Sequence, residues 1–204
     1  RIKAIDLLIL SHEDDDHWNG LPALAERFSI KSVYSQKHLL ESKKGQEILS
    51  LLNKRRIPVA AVAAGELVSG FEPAMVKILH PLPWYPGVTT SNDNSCVIKI
   101  EYLGHTILLC GDIQAQGIAA LTANSNELKA NALQIPHHGS FVNNLDVLLD
   151  AVQPLYAFIN TSEGVVSNKT LDNLQSRHII VLQTHQEGAI TFTVDSSGIR
   201  YTAF

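Results

Sequence analysis

Side chains that bind metal ions are concentrated in residues 11–17, which read Ser-His-Glu-Asp-Asp-Asp-His. A mixture of imidazole and carboxylate groups suits Zn²⁺, Mn²⁺ or Fe²⁺, and the carboxylates weaken the preference for zinc over manganese. In a tight loop, His12 and Asp14 can face one ion while Asp16 and His17 face a second. The segment is therefore a candidate site for two divalent metal ions, Zn or Mn.

Two further groups of candidate ligands occur later in the chain. Gly111 and Asp112 follow one apolar run, and His137 and His138 follow another. A carboxylate can share its two oxygens between two ions, and this is the role we predict for Asp112. Two ions about 3.5–4 Å apart can polarise a phosphoryl oxygen, activate water and neutralise the leaving oxygen. The predicted chemistry is hydrolysis, with Asp16, Asp112 and His137 as catalytic groups.

The spacing of His137 and His138 does not separate their roles. Adjacent residues leave a strand end in different directions, so we expect one to bind an ion and the other to lie beside the substrate. We predict that His138 is the ligand and that His137 contacts the transition-state oxyanion or protonates the leaving group. The predicted metal ligands are His12, Asp14, Asp16, His17, Asp112 and His138.

The alternative for residues 11–17 is a solvated acidic turn, because runs of charged residues usually face water. The two later groups of ligands, in order behind this segment, argue against that alternative. Weaker candidates for substrate binding are Trp18, Asn94, Ser95 and His185. The Trp18 ring could stack on a substrate group or pack in the core, and Asn94 could equally fix its own loop by local hydrogen bonds.

Each group of candidate ligands comes directly after a short apolar run. The runs at residues 4–10, 106–110 and 132–135 predict strands. Ligands on loops at strand ends are held by a rigid scaffold, which brings several side chains together. Helical spacing of apolar residues alternates with the strands, at residues 20–28, 44–56, 114–122, 145–152 and 169–176. The predicted fold class is α/β with mixed sheets.

The composition predicts one domain, residues 1–204, because a chain of this length with 45% hydrophobic residues can bury one sizeable core. A net charge of −4 argues against a broad basic face that holds duplex DNA by its phosphates. No apolar run approaches the roughly 20 residues needed to cross a bilayer, so we expect a soluble domain. The chain opens in a strand without an initiator Met, which suggests an excerpt of a longer protein.

Two cysteines, Cys96 and Cys110, lie on predicted successive strands. A two-residue turn at Leu103-Gly104 would set Cys110 opposite Val97, so Cys96 would point to the other face of the sheet. We therefore predict two buried thiols rather than a disulfide.

Four segments of the chain resemble, in order, motifs of the metallo-β-lactamase superfamily, and more narrowly of the C-terminal domain of the ComEC family of DNA-internalisation proteins. The segments are LLILSHEDDDHWNGL, NDNSCVIKIEYLGHTILLCGD, ALQIPHHGS and VLQTHQEGAITF. The resemblance implies an αββα sandwich that holds two divalent ions. It also implies that an opening N-terminal hairpin is missing from this chain.

The chain departs from the family pattern at three places. Asp14 stands where most of the superfamily has a second His. The superfamily's third His for the first ion is not visible, and its place should lie in residues 92–95, so we expect the first ion to bind loosely. A His-Pro pair that the family commonly has is absent near residues 167–169, which puts any substrate contact there in doubt.

The resemblance implies a phosphodiesterase or nuclease with a phosphodiester substrate such as single-stranded DNA, acting during DNA uptake. It also implies attachment to a bacterial inner-membrane protein through other domains; otherwise the location would be cytoplasmic. Two alternatives stay open. One is a free-standing hydrolase of a small phosphate ester such as a phosphocholine group. The other is a domain that binds metal without catalysis and serves as a rigid part of a membrane assembly.

Overall fold

A computed structural model describes residues 2–83, 90–124 and 126–204. The strands of this part are β1 (Ala4–Ile5), β2 (Leu8–Leu10), β3 (Ser29–Ile30), β4 (Val33–Gln36), β5 (Val59–Val62), β6 (Leu67–Val68), β7 (Met75–His80), β8 (Val97–Tyr102), β9 (His105–Leu109), β10 (Ala132–Gln134), β11 (Tyr156–Ile159), β12 (Ile180–Gln183), β13 (Ile190–Asp195) and β14 (Gly198–Ala203). The helices are α1 (Asp15–Trp18), α2 (Leu21–Arg27), α3 (Lys37–Glu41), α4 (Lys43–Lys54), α5 (Ala115–Asn124), α6 (Leu145–Val152), α7 (Asn168–Ser176) and α8 (Thr184–Glu187).

Two sheets form the body of the molecule. The larger has the strand order β12-β11-β10-β9-β8-β7-β6, and the smaller has the order β2-β4-β5. The smaller sheet is parallel throughout. The larger sheet is parallel from β9 to β12 and antiparallel from β6 to β9. This architecture confirms the predicted α/β class with mixed sheets.

The two sheets pack face to face through an apolar layer. Side chains of the larger sheet, such as Ile78 and Ile98, meet Ile9 and Val62 of the smaller sheet. Residues Leu8 to Leu10 therefore contribute to both faces of their sheet, which explains the continuous apolar run in this part of the sequence.

Helices cover the outer face of each sheet. Leu39, Ile48 and Leu52 of α3 and α4 are fully buried against the smaller sheet, and each such burial stabilises the fold by roughly 1.5–3 kcal/mol. Helices α5, α6 and α7 cover the larger sheet through Ile118 and Leu148, among others. The layers are thus helix, sheet, sheet, helix, which confirms the predicted αββα sandwich.

The hairpin of β8 and β9 has the register that the turn at Leu103-Gly104 predicts. Ile98 pairs with Leu109, and both cysteines are free and buried. The prediction of two buried thiols is therefore confirmed. The predicted strand at residues 4–10 is instead two short strands, because β1 pairs with β3 whereas β2 pairs with β4.

Candidate metal centre

Three loops meet at one edge of the sandwich, after the carboxyl ends of β2, β9 and β10. The loop after β2 holds His12 and then turns into α1, so the second half of the predicted tight loop is a helical turn. His12 is fully buried, whereas the side chains of Asp14 and Asp16 are 45% and 63% exposed. The first segment thus reaches from the interior of the protein to its surface.

Donor atoms of five residues converge at this edge. They form two groups that share His17, and within each group the donor atoms all lie within 4.8 Å of one another. The first group is His12, His17 and Asp112, and the second is Asp16, His17 and His138. We call these five residues the donor cluster.

Asp112 lies between two imidazoles of the donor cluster. Its Oδ2 is 3.3 Å from Nε2 of His17 and 3.3 Å from Nε2 of His138. Oδ2 of Asp16 approaches the same two nitrogens, at 3.6 Å and 3.2 Å. The two Nε2 atoms are themselves 3.4 Å apart, so the two groups of donors are contiguous.

Neighbouring oxygens determine which ring nitrogen of each His faces the cluster. Nδ1 of His138 is 2.8 Å from the Asn160 carbonyl oxygen, which only accepts, so Nδ1 carries the proton and Nε2 presents a lone pair. Nδ1 of His12 contacts the hydroxyls of Ser11 at 3.0 Å and Ser95 at 3.3 Å. Hydrogen bonds of this kind fix the orientation of metal-binding histidines.

The donor cluster fits divalent cations. Nε2 of His12 is buried and has no hydrogen-bond partner among the described residues, and an unpartnered buried nitrogen is costly unless an ion occupies its lone pair. The Nε2 lone pair of His138 faces the carboxylates of Asp16 and Asp112, which are acceptors as well. Because acceptors repel one another at these distances, cations or protons are required between them.

The carboxylates and imidazoles of the cluster shift one another's proton affinity. Burial lowers the pKa of His17, but the hydrogen bond and charge of Asp112 outweigh burial, so the pKa of His17 is raised. Burial opposes ionisation of Asp112, yet the hydrogen bond and charge of His17 hold the Asp112 pKa below its usual value. Burial, followed by the nearby His17, lowers the pKa of His12. A neutral His12 beside an ionised Asp112 is the protonation state that metal binding needs.

Asp14 lies outside both groups of converging donors. Its Oδ2 is 3.7 Å from Nε2 of His12, and its side chain is 45% exposed. The predicted division, with His12 and Asp14 facing one ion, differs from this arrangement, in which His12 groups with His17 and Asp112. A helical turn causes the difference, because it carries His17 back toward His12, with the two ring centroids 4.1 Å apart.

The two adjacent histidines after β10 separate because the backbone turns sharply there. His137, His138 and Gly139 have φ values of 52°, 55° and 77°, in the left-handed region that side chains other than glycine rarely adopt. As a result His138 enters the donor cluster, while Nδ1 of His137 lies 3.3 Å from Nε2 of Gln114. When that amide donates, Nε2 of His137 is the protonated nitrogen and can donate to a substrate oxygen.

Buried polar groups hold the loops that carry the cluster. Ser95 Oγ accepts the Asp112 N–H at 3.1 Å, and the Ser95 carbonyl oxygen accepts from buried His80 at 3.0 Å. Gln134 Oε1 accepts two N–H groups, from Cys110 and Gly111, both at 2.9 Å. Sequence reasoning missed these supports, because no local pattern marks a buried Gln or His that serves a distant loop.

Gly111 is required by close packing. A Cβ at this position would lie 3.0–3.2 Å from side-chain atoms of Ser95 and Ser11, and φ is +55°. The chain before Asp112 therefore passes against the two serines that contact His12. Any larger residue would push Asp112 away from the cluster.

The loop at residues 92–95 is fixed by its own polar groups. Asp93 Oδ1 accepts the N–H groups of Gln114 and Gly117, at 2.9 Å and 2.8 Å, and Asn94 Nδ2 donates to the Thr90 carbonyl oxygen at 3.0 Å. Asn94 is 9% exposed and Ser95 is fully buried. These contacts are those of a structural loop, and substrate binding by Asn94 and Ser95 stays a prediction.

Trp18 and His185, two of the residues predicted to bind substrate, differ in burial and in contacts. Trp18 packs partly against the helical core, and its Nε1 donates to Asp15 at 3.3 Å while Lys44 lies 5.0 Å over the ring. His185 is exposed in α8, and within the described ranges it has no hydrogen bond or ion pair. Substrate contact by either residue stays a prediction.

Comparison with known proteins assigns the family. Residues 1–159 match the Metallo-beta-lactamase superfamily, and with three quarters of its length covered the chain belongs to this superfamily. The chain therefore has the fold of a superfamily of metal-dependent hydrolases. Among solved structures, the diiron β-hydroxylase CmlA from Streptomyces venezuelae shares this fold at a TM-score of 0.60 and 14% identity, covering 100% of this chain and 46% of CmlA.

Two curated relatives match nearly the whole chain, and one of them is named a competence protein. The chain is 26% identical to ComE operon protein 3 of Bacillus subtilis over 195 residues, which is 94% of this chain and 25% of that protein. It is 24% identical to competence protein ComA of Neisseria gonorrhoeae over an alignment of 216 positions that covers 98% of this chain and 27% of that protein. The chain thus spans about a quarter of their length. In the described residues, no helix is both long and apolar enough to span a membrane.

Proposed function

We propose that this chain is a phosphodiesterase that cleaves DNA, single-stranded DNA in particular, with two divalent ions, Zn or Mn, in a competence-type DNA-uptake protein. The convergence of the donor cluster at one open edge of the sandwich is the observation that supports this proposal most directly. The similarity to these two relatives, one of them named a competence protein, over nearly the whole chain favours DNA over a small ester. By the same similarity, we propose membrane attachment through other parts of the parent protein.

The proposed roles follow from the position of each side chain. His12, His17 and Asp112 would hold one ion; Asp16, His138 and His17 or Asp112 would hold the other. When bound, such ions polarise the phosphoryl oxygen, activate water and neutralise the leaving oxygen.

Two side chains have further proposed roles: Asp112 is held in a fixed position, and His137 supplies a proton. Asp112 is held by the Ser95 hydroxyl through its N–H, so the carboxylate stays between the two imidazoles. His137 lies outside the donor cluster, with its Nδ1 beside the Gln114 amide. A protonated Nε2 of His137 can donate to the oxygen that leaves phosphorus.

The test is hydrolysis of bis-p-nitrophenyl phosphate and of a labelled single-stranded oligonucleotide by the full protein with Mn²⁺ or Zn²⁺. We expect metal-dependent cleavage of both substrates, reduced to the blank rate in Asp112→Asn and kept in Asp15→Asn. Asp15 is the matched control, because this acidic neighbour pairs with Lys44 at 3.0 Å instead of facing the cluster. Cleavage of the small ester alone would support a hydrolase of small phosphate esters, and absence of both activities would contradict an enzyme.

A further inference from the structure

An exposed aromatic ring lies three residues beyond His138. Phe141 is 44% exposed, and the chain between the two residues spans at most about 11 Å. The ring adds little to the core, since its neighbour Val142 is the buried side chain of this segment. A solvent-facing ring this close to the donor cluster is available to a ligand bound there.

A lysine lies directly over this ring. Nζ of Lys169 is 3.8 Å from the Phe141 ring centroid, and in the described parts of the chain no carboxylate lies within 4.0 Å of that ammonium group. Several other lysines pair with carboxylates, as Lys37 pairs with Glu41 and Lys44 pairs with Asp15. The charge of Lys169 is therefore free to interact with an anion.

The two side chains are held together by their backbones. The Ser167 N–H donates to the Gly139 carbonyl oxygen at 3.0 Å, and the Thr170 hydroxyl donates to the Ser140 carbonyl oxygen at 3.4 Å. A Cβ on Gly139 would lie 3.0 Å from Val166, so the segments pack closely. The segment before α7 is thereby fixed against the loop that carries His137 and His138.

The first turn of α7 adds a favourable field. Ser167 caps this nine-residue helix, and the first turn has no acidic residue. The positive end of a helix dipole attracts phosphate, and here it lies beside the Lys169 ammonium. Ring, ammonium and helix end together provide what a single-stranded nucleic acid needs, namely a stacking surface and a positive contact for the backbone.

We propose that Phe141 and Lys169 form a binding subsite for single-stranded nucleic acid, in which a base next to the cleaved phosphodiester stacks on the face of the Phe141 ring opposite Lys169, and Lys169 contacts a neighbouring phosphate. This inference rests on the proposed function for the nature of the substrate. It restores a substrate contact near residues 167–169, where the family's His-Pro pair is absent. It also assigns the stacking role to Phe141 rather than to Trp18, whose ring is partly buried and whose indole N–H is bonded to Asp15.

The test is binding of a fluorescein-labelled single-stranded oligonucleotide to the metal-free protein, measured by anisotropy, because without metal the probe is not cleaved. Phe141→Ala should weaken binding by roughly 5- to 100-fold, and Phe141→Trp should retain it. Lys169→Ala should weaken binding and make the slope of log K against log salt smaller by about 0.7. Exposed residues at the opposite end of the sheet serve as controls, so Phe71→Ala and Lys129→Ala should leave binding unchanged.

Hydrolysis of bis-p-nitrophenyl phosphate distinguishes this inference from the proposed function. In the otherwise unmodified protein, with Asp112 intact, Phe141→Ala should raise KM for the oligonucleotide and leave turnover of the small ester unchanged. Equal loss on both substrates would show a structural role and overturn the subsite. The subsite would also be overturned if neither Phe141→Ala nor Lys169→Ala changed the affinity for the oligonucleotide. Metal-dependent hydrolysis of the ester would in that case still support the proposed hydrolase function.

Discussion

The two ends of the donor cluster are built differently. At the buried end, His12 is fully buried, Asp112 is 5% exposed, and Ser95 bonds to both. At the exposed end, the side chains of Asp16 and His138 are 63% and 33% exposed. Neighbouring side chains hold the buried end, whereas the Asp16 carboxylate at the exposed end faces solvent. The fold thus provides one preorganised set of candidate ligands and one more exposed set.

The largest expected effect is on metal affinity, and it distinguishes Asp16 in α1 from Asp14 in the preceding turn. Asp16→Asn should weaken binding of the second ion by more than about 100-fold, because loss of a direct ligand exceeds the 10- to 100-fold typical of an outer group. Asp14→Asn should weaken binding less, since Asp14 lies outside both groups of converging donors, with its Oδ2 3.7 Å from Nε2 of His12. Titration of the metal-free protein with Mn²⁺ by calorimetry measures both. Equal losses in the two variants would contradict the assignment of Asp16 to the cluster.

A smaller effect is expected from the hydroxyl that serves the buried end. Ser95→Ala removes the group that contacts Nδ1 of His12 and accepts the Asp112 N–H. Metal affinity should fall by about 10- to 100-fold, with the secondary structure retained in circular dichroism. Ser32→Ala is the control, because the Ser32 hydroxyl donates to the Asp6 carbonyl oxygen, at the opposite end of β2 from the site. Unchanged affinity in Ser95→Ala would show that the buried end is not held by this serine.

Much of this fold was predictable from sequence, and the exceptions have local causes. Alternating apolar runs predicted the α/β class with mixed sheets, and the turn at Leu103-Gly104 predicted the hairpin register. The sandwich layers were implied by the resemblance to the metallo-β-lactamase superfamily. The break between β1 and β2 was hidden, because the apolar run continues while the pairing partner changes from β3 to β4. Helix α3 was missed because its five residues make little more than one turn, which is too short to show a repeating apolar pattern. Its start depends on the Gln36 side chain, which accepts the Leu39 N–H.

The candidate site was predictable in residue type and less so in arrangement. Strand ends indicated where ligands gather, but residues 12 and 95 are 83 positions apart in sequence, so no local pattern links His12 to Ser95. The difference between His137 and His138 depends on a backbone with consecutive positive φ values. Phe141 and Lys169 meet only because the loop after β10 packs against the start of α7.

The smallest expected effect concerns the two thiols beneath the buried end. Cys96 follows Ser95 and Cys110 precedes Gly111, and burial raises the pKa of Cys96 to about 12 and that of Cys110 further. Because the thiolate is the reactive form, neither should react with 5,5′-dithiobis(2-nitrobenzoic acid) at pH 8 in the folded protein. Both should react in guanidinium chloride. Rapid labelling of either thiol without denaturant would contradict a rigid buried end.

The central claim is that the donor cluster holds two divalent ions. The most direct test is the metal content of the protein after loading with Mn²⁺ or Zn²⁺ and removal of free ions, measured by inductively coupled plasma mass spectrometry. We predict two ions per chain in the unmodified protein and in Asp15→Asn, and fewer than one in Asp112→Asn, whose fold circular dichroism should show to be intact. Two ions retained by Asp112→Asn, or none bound by the unmodified protein, would contradict the account of the donor cluster.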